Sequence, residues 1–168
     1  MDRFTAAAPS VGALRSDSPQ LTRALGRAIG TRAMPGTVLS LIGPLGAGKT
    51  QLAKGVADGL EITSVVNSPT FVLMNEHVGR LRLFHVDAYR LHDPDEALAV
   101  GLFEERQAEG VTVVEWADRL DGWLPLERID LWIEPEVTGE DKRTLRWVAH
   151  GDAHAALAAE ALAAEALR

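Results

Sequence analysis

A glycine-rich loop, placed between a predicted strand and a predicted helix, constrains the fold of this chain more than any other feature. Residues 43–50 read Gly-Pro-Leu-Gly-Ala-Gly-Lys-Thr and contain the complete G-x-x-x-x-G-K-[ST] pattern. Residues 37–42 before the loop are mainly aliphatic and β-branched, and residues 51–59 have a helix-forming composition that ends in Asp-Gly. Because strand, loop and helix follow in this order, we interpret the pattern as a phosphate-binding loop rather than a glycine-rich turn.

The residue types in the loop suit the binding of a nucleoside triphosphate. Glycines allow successive backbone N–H groups to point at phosphate oxygens, and the N-terminus of the following helix adds partial positive charge. Lys49 can reach the β- and γ-phosphates, and the hydroxyl of Thr50 can ligate Mg²⁺. The sequence has no Asn-Lys-x-Asp element for reading guanine, which disfavours GTP.

Length, charge and hydropathy exclude several classes of protein. The 168 residues predict one domain, and a net charge of −7 argues against a chain that coats nucleic acid with its own surface. No apolar run reaches the ~18–20 residues of a membrane helix. The N-terminus lacks the apolar segment of a secretory signal. We therefore expect a soluble cytoplasmic protein without membrane contact.

Composition divides the chain into three segments. Residues 1–17, rich in Ala, Ser and Pro, are expected to be loosely ordered. Residues 18–150 form the predicted P-loop domain, whose first helix is capped by Ser18. Residues 151–168 are rich in alanine and predict a helical tail that is exposed or docked on a partner.

Between the loop helix and the tail, hydrophobic periodicity predicts strands and one helix. In chain order these are a hairpin of strands 71–78 and 81–87, a helix from Asp93 to about Ala108 with a break at Gly101, a buried strand over 111–116, and a final hairpin of 129–133 and 144–149.

Two acidic residues at predicted strand ends can complete a metal–nucleotide site. Glu115 follows four β-forming residues, and Asp87 ends another strand, so both carboxylates are expected at the edge where α/β proteins bind ligands. The alternative is that each is a solvated acid at a strand end. Trp116 is expected near the nucleotide because it adjoins Glu115, whereas His85 is interpreted as a strand histidine rather than a ligand.

Four motifs, in this order and spacing, resemble one family closely, the TsaE (YjeE) family of tRNA threonylcarbamoyladenosine biosynthesis. The resemblance covers roughly residues 18–150. The motifs are the loop at 43–50, Ser-Pro-Thr-Phe at 68–71, His-Val-Asp-Ala-Tyr-Arg at 85–90 and Val-Glu-Trp at 114–116.

This resemblance implies a P-loop NTPase-type three-layer α/β sandwich with a mixed, mainly parallel central sheet. It implies an ATPase that binds and slowly hydrolyses Mg-ATP while docked on the TsaD–TsaB pair, which transfers the threonylcarbamoyl group to tRNA. The chain itself would then meet tRNA only indirectly, which suits its acidic charge.

The resemblance also implies roles for individual residues. Lys49, Asp87 and Glu115 would be catalytic, Thr50 and Glu115 would hold Mg²⁺, and residues 68–71 would act as a switch. The resemblance further implies that ATP is contacted by Leu45, Gly46, Ala47, Gly48, Lys49, Thr50 and Trp116.

The sequence departs from the family at several positions, and other functions stay open. Pro44 replaces a common acidic residue, Gln51 stands where many members have Thr, and the Gly-x-x-Arg turn near the adenine is stretched over 139–143. The principal alternative is a small-molecule kinase that uses Asp87 as its base. A further alternative is a nucleotide-gated binding module with negligible hydrolysis.

Overall fold

In the part of the chain that the structure describes, a mixed sheet of seven strands forms the centre of the molecule. The computed structural model describes residues 9–69, 72–99, 101–163 and 165. The strands are β1 (Ser10–Ser16), β2 (Val38–Ile42), β3 (Met74–His77), β4 (Leu83–Asp87), β5 (Val111–Glu115), β6 (Arg128–Pro135) and β7 (Arg143–His150).

The strand order is β1-β7-β6-β2-β5-β4-β3, and the sheet is parallel through its middle. Strands β6, β2, β5 and β4 run parallel, whereas β7, β1 and β3 pair antiparallel with their neighbours. The register aligns Glu115 with Leu41 on one side and with Asp87 on the other. The carboxyl ends of β2, β4 and β5 therefore meet at one edge, and the predicted α/β class with a mixed sheet is confirmed.

Helices cover both faces of the sheet and make three layers. They are α1 (Pro19–Arg32), α2 (Lys49–Gly59), α3 (Pro94–Ala99) and α4 (Asp152–Ala158), which continues as a π-helical segment, Ala159–Ala163. The larger core lies between the sheet and α1, α2 and α4, and a smaller core includes α3 and the 3₁₀ turn Ala117–Leu120. The predicted cap is present, since Ser18 Oγ accepts a hydrogen bond from the Leu21 N–H at 3.1 Å.

Glycines bring α1 and α2 into close backbone contact. A Cβ atom added at Gly26 or Gly30 of α1 would lie 2.2 Å from a backbone oxygen of α2. A Cβ added at Gly55 of α2 would lie 1.9 Å from the carbonyl oxygen of Arg23. The helix that begins at Lys49 is therefore fixed directly against α1.

The expectation of a loosely ordered N-terminal segment is wrong for Ser10–Ser16. These residues form the edge strand β1, which pairs with β7 and buries Leu14 and Ser16. The ring of Trp147 lies over Gly12, where a Cβ would be 2.1 Å from Trp147 Cζ2. Long-range pairing and this close contact order the strand, and neither is visible in a short run of small residues.

The tail also differs from the prediction, since 152–163 pack on the domain's own core. The side chains of Leu157 and Leu162 are buried, and His154 Nε2 accepts a hydrogen bond from the backbone N–H of Val38 at 3.0 Å. The interpretation as an exposed or partner-docked helix is therefore wrong for this part of the tail. Its alanines allow close approach to α1, so low complexity here reflects tight packing.

The remaining elements follow the predictions with different bounds, since β3, β4 and β5 are shorter than predicted and β6 and β7 are longer. Strand β3 covers only part of the predicted 71–78, and residue 71 lies outside the described residues. The predicted break at Gly101 is confirmed by its left-handed φ of 80°, and the helix beyond it is replaced by a short 3₁₀ segment, Glu105–Glu109. Within the described part of the chain, no helix has the length and apolar character needed to cross a membrane.

Candidate functional site

The predicted phosphate-binding loop, residues 43–50, connects the end of β2 to the start of α2. Gly46 and Gly48 have φ values of 77° and 112°, which side chains rarely allow. Gly43 passes so close to β6 that a Cβ there would lie 2.4 Å from the carbonyl oxygen of Ile133. Since α2 begins at Lys49, its N-terminus faces the loop, as an anion-binding site requires.

Lys49 lies inside the loop and is only 5% exposed. Its Nζ donates to the carbonyl oxygens of Gly43 at 2.6 Å and Pro44 at 2.8 Å. The same ammonium lies 4.0 Å above the centre of the Trp116 ring. Burial lowers the pKa of Lys49, while the nearby Glu115 carboxylate opposes that shift. The loop therefore holds a partly desolvated cation at the place where phosphates are expected.

Glu115 is the centre of a buried polar network at the end of β5. Its Oε1 accepts from Thr50 Oγ1 at 2.8 Å, and its Oε2 accepts from Ser68 Oγ at 2.9 Å and from His85 Nε2 at 2.6 Å. Burial favours a raised pKa for Glu115, but the hydrogen bonds from His85, Thr50 and Ser68 lower it overall. The network therefore keeps the carboxylate ionised although only 2% of the residue is exposed.

His85 supports Glu115 from the neighbouring strand β4. The His85 side chain is fully buried. In the register of β4 and β5, His85 pairs with Val113, two positions before Glu115. The sequence interpretation as a strand histidine holds, but it missed the contact with Glu115. The available signal was the two-residue spacing between His85 and Asp87, which puts both side chains on one face of the strand.

Asp87 lies beside Glu115 at the same edge of the sheet. Its Oδ1 accepts a hydrogen bond from the backbone N–H of Tyr89 at 2.9 Å. Burial raises the pKa of Asp87, the Tyr89 hydrogen bond opposes the rise, and the Glu115 charge adds to it. Its environment therefore differs from that of Glu115, whose net pKa shift is downward.

An aromatic wall closes one side of the cleft. Trp116 adopts the left-handed conformation with φ 57° and ψ 40°, which is uncommon for a bulky residue and stores strain. Its ring centre lies 4.9 Å from that of Tyr89, and the Arg119 guanidinium lies 5.2 Å from the Tyr89 ring. The Lys49 ammonium contacts the Trp116 ring, so two cations and two tilted rings form a continuous series of contacts. The sequence predicted Trp116 but missed Tyr89 and Arg119.

The cleft, of about 420 Å³, brings together all the residues predicted to contact ATP, to hold Mg²⁺ or to be catalytic. Their chemical roles remain predictions. It also contains Gln51 and Tyr89, which were not predicted as site residues. The predicted residues that line it are Leu45, Gly46, Ala47, Gly48, Lys49, Thr50, Asp87, Glu115 and Trp116, together with Ser68 of the predicted switch. Residues 70 and 71 of that switch lie outside the described residues.

The family of the chain follows from comparison with known proteins. A family model described as "Threonylcarbamoyl adenosine biosynthesis protein TsaE" matches residues 16–145, well over half of the chain. The chain belongs to the TsaE family. The matched range contains the loop, Asp87, Glu115 and Trp116, and it ends before the helical tail.

Relatives and a solved structure agree with this membership in the TsaE family. The tRNA threonylcarbamoyladenosine biosynthesis protein TsaE of Bacillus subtilis (strain 168) is 42% identical, with 87% of this chain and 90% of the relative covered. The protein of the same name from Mycobacterium leprae is 38% identical, with 81% and 89% covered. The crystal structure of Bacillus subtilis YdiB matches with a TM-score of 0.76 and 34% identity, over 95% of this chain and 99% of that one.

Proposed function

We propose that the protein is a cytoplasmic P-loop ATPase of tRNA threonylcarbamoyladenosine biosynthesis. It binds Mg-ATP in the cleft and hydrolyses it slowly while docked on TsaD–TsaB, whose turnover it supports. The observation that carries this proposal is the contact between Thr50 at the start of α2 and Glu115 at the end of β5, beside Lys49. These three groups are the hydroxyl, acid and cation that a P-loop nucleotide site requires.

The donor atoms at this point fit Mg²⁺. The ion prefers oxygen ligands and keeps several waters, so one carboxylate and one hydroxyl suffice when phosphate oxygens supply the rest. Thr50 and Glu115 would hold it, and the ionised state of Glu115 suits a hard cation. No cluster of three or more His, Asp or Glu residues that could form a separate metal site occurs among the described residues. Bound Mg²⁺ would neutralise charge on the phosphates.

The loop accounts for binding of the triphosphate itself. The N-terminus of α2 points at the loop, and its partial positive charge favours phosphate there. Lys49 is already inside the loop and exchanges its contacts with the Gly43 and Pro44 carbonyl oxygens for phosphate oxygens. This exchange leaves the cation in a dry environment, where its interaction with phosphate is stronger than in water.

Two further residues of the cleft, Asp87 and Ser68, bear on hydrolysis and on its control by a partner. Asp87 lies next to Glu115 at the edge of the sheet, where its carboxylate can orient the attacking water. Ser68 belongs to the predicted switch and donates directly to Glu115. A partner that moves this loop therefore changes the carboxylate that holds the metal. Until a partner moves this loop, the positioning of the reacting groups is incomplete and hydrolysis is slow.

The partner-dependent part of the proposal is tested with TsaD and TsaB from the same source. ATP turnover is measured for the chain alone and with the pair, and capture of the pair is measured with ATP, ADP and a non-hydrolysable analogue. We expect slow turnover alone, a changed rate with the pair, and different capture in the ATP and ADP states. Only such a difference can couple hydrolysis to release.

The same assays separate this function from the kinase alternative. A kinase consumes ATP rapidly only when a small hydroxyl acceptor is present, and it binds TsaD–TsaB equally in every nucleotide state. Rapid acceptor-dependent turnover together with indistinguishable capture would overturn the proposal. Lys49→Ala serves as the control, because it removes the cation from the loop in either mechanism.

A further inference from the structure

Arg143, the first residue of β7, contacts the outer side of the phosphate loop. Its Nε donates to the carbonyl oxygen of Ala47 at 2.8 Å, and its Nη2 donates to the carbonyl oxygen of Gly46 at 3.2 Å. Arg143 is far from the loop in sequence, and the role predictions made from the motifs do not include it. The contact arises because β7 and the loop lie at the same end of the sheet.

The same guanidinium is anchored at its other side. Its Nη1 donates to the carbonyl oxygens of Glu140 at 2.8 Å and Lys142 at 3.0 Å, in the turn between β6 and β7. A planar guanidinium with five N–H donors can make such a set at once, whereas a lysine ammonium acts as a compact point charge. Arg143 therefore bridges a hairpin turn and the phosphate loop.

The loop tip needs an external contact of this kind. Among the described residues, no atom beyond Gly46 and its two chain neighbours lies within 4 Å of the position that a Cβ at Gly46 would occupy, and Leu45 beside it is 83% exposed. Little packing therefore holds the tip, and its glycines have more backbone freedom than other residues. The bonds from Arg143 restrict that freedom at the two peptide units they touch.

Peptide geometry connects the outer carbonyls to the inner N–H groups. In a trans peptide unit the C=O and the following N–H are coplanar and point in opposite directions. When Arg143 holds the Ala47 carbonyl, the Gly48 N–H is directed away from Arg143, and Gly48 is one of the residues that line the cleft. Orientation of that donor before binding reduces the entropic cost of binding phosphate.

We propose that Arg143 is a positioning residue that fixes the phosphate loop through its carbonyls and thereby sets its affinity for nucleotide phosphates. This inference rests on the proposed nucleotide site. It assigns Arg143 no contact with the nucleotide.

The test compares Arg143→Met with a matched control on the same strand. Arg146→Met removes an equal charge from an exposed arginine that pairs with Glu134. We expect the Kd for Mg-ATP to rise about tenfold or more in Arg143→Met and less than twofold in Arg146→Met. In turnover, KM should rise more than kcat falls, since the loss is in binding. Equal affinities in the two variants would overturn the inference.

Arg143→Lys separates loop positioning from charge. Lysine keeps the positive charge but cannot hold the loop carbonyls and the turn together, so affinity should stay close to that of Arg143→Met. Full recovery of ATP affinity in Arg143→Lys would show that long-range charge is sufficient, and would overturn the positioning role.

Backbone amide exchange tests the inference without any nucleotide. The Ala47 N–H donates to the Pro44 carbonyl oxygen at 3.1 Å, and it belongs to the peptide unit whose Gly46 carbonyl Arg143 holds. We expect the Ala47 amide to exchange faster in Arg143→Met than in the unsubstituted protein or in Arg146→Met, with the helices unchanged. Unchanged exchange at Ala47 would contradict the inference even if ATP binds. Absence of ATP binding in the unsubstituted protein, with faster Ala47 exchange in Arg143→Met, would instead overturn the proposed function alone.

Discussion

Thr50 Oγ1 donates a 2.8 Å hydrogen bond to Glu115 Oε1, although 65 residues separate the two positions in the sequence. The contact is a consequence of strand order, because β2 and β5 are parallel neighbours and their carboxyl ends lie side by side. It places a hydroxyl and an ionised carboxylate where one small cation can contact both. The predictions for the site start from this pair.

Lys49→Ala and Thr50→Ala should each lower kcat/KM for Mg-ATP hydrolysis by about 100-fold or more. The first removes the cation held inside the loop, and the second removes the hydroxyl that contacts Glu115. Thr50→Ser keeps the hydroxyl and should retain most of the activity. Steady-state kinetics with a thermal unfolding control test this, and near-normal turnover in a folded Lys49→Ala protein would refute the loop assignment.

Glu115→Gln and Asp87→Asn should affect different steps. The amide at Glu115 lacks the charge that a hard cation prefers, so the Mg²⁺-dependent affinity for ATP should fall about tenfold or more. Asp87→Asn should lower kcat more than affinity if Asp87 orients water. Separate titrations of Mg²⁺ and ATP distinguish the two. Small and equal effects in both variants would identify the residues as strand-end acids without a catalytic role.

Much of the fold could be predicted from short sequence patterns. Strands β2 and β5 consist mainly of aliphatic and β-branched residues, and the loop motif requires a strand before it and a helix after it. Strand β1 could not be predicted in this way, because its order depends on pairing with β7 and on the Trp147 ring over Gly12. Helix α4 was misinterpreted because alanine-rich composition does not distinguish a solvated helix from a tightly packed one.

The site could be predicted only where its residues belong to local motifs. The loop, Glu115 and Asp87 are recognisable from their neighbours in sequence. The contacts of His85 with Glu115 and of Arg143 with Ala47 depend on strand register and on the position of the β6–β7 turn. The spacing of His85 and Asp87 predicts a shared face of one strand, but register is a property of the assembled sheet, so the contact partners could not be predicted from it.

Nucleotide binding should change tryptophan emission mainly through Trp116. The Lys49 ammonium lies 4.0 Å above the Trp116 ring, and its movement to phosphate would alter the electric field on the indole. Addition of Mg-ATP should therefore change emission in the unsubstituted protein and in Trp123→Phe, which removes a partly exposed tryptophan. Trp116→Phe should lose most of the change. If Trp116→Phe responds as strongly as the unsubstituted protein, the change in emission comes from another tryptophan. That result would contradict movement of Lys49 away from the Trp116 ring.

Gly55→Ala should destabilise the protein although alanine is the better helix former. Helix propensity alone favours Ala by ~1 kcal/mol, but a Cβ at Gly55 would lie 1.9 Å from the Arg23 carbonyl oxygen of α1. The two helices must separate, so the free energy of unfolding should fall by about 1–3 kcal/mol. Chemical denaturation measures this, with Lys54→Ala as a control expected to stay within about 0.5 kcal/mol. Equal stability in Gly55→Ala would contradict the close helix contact.

His154 should make the stability of the protein depend on pH. Its Nε2 accepts a hydrogen bond from the Val38 N–H, so the folded state needs the neutral ring. Burial lowers the pKa of His154, the Glu127 charge opposes this shift, and His150 adds to it. Because the unfolded chain binds the proton more readily, stability is fully present above the unfolded pKa of ~6.5 and falls as pH decreases below it.

The size and origin of this pH dependence can be measured with His154→Gln. One proton contributes a slope of at most ~1.4 kcal/mol per pH unit to the free energy of unfolding. Glutamine offers an acceptor to Val38 but does not titrate, so the loss of stability from pH 7 to pH 5 should be smaller in this variant. His77, whose pKa burial also lowers, is present in both proteins and cancels in the comparison. His92→Gln, at an exposed position, is the control and should lose as much stability from pH 7 to pH 5 as the unsubstituted protein. If His154→Gln also loses as much stability as the unsubstituted protein, His154 is not held neutral against β2.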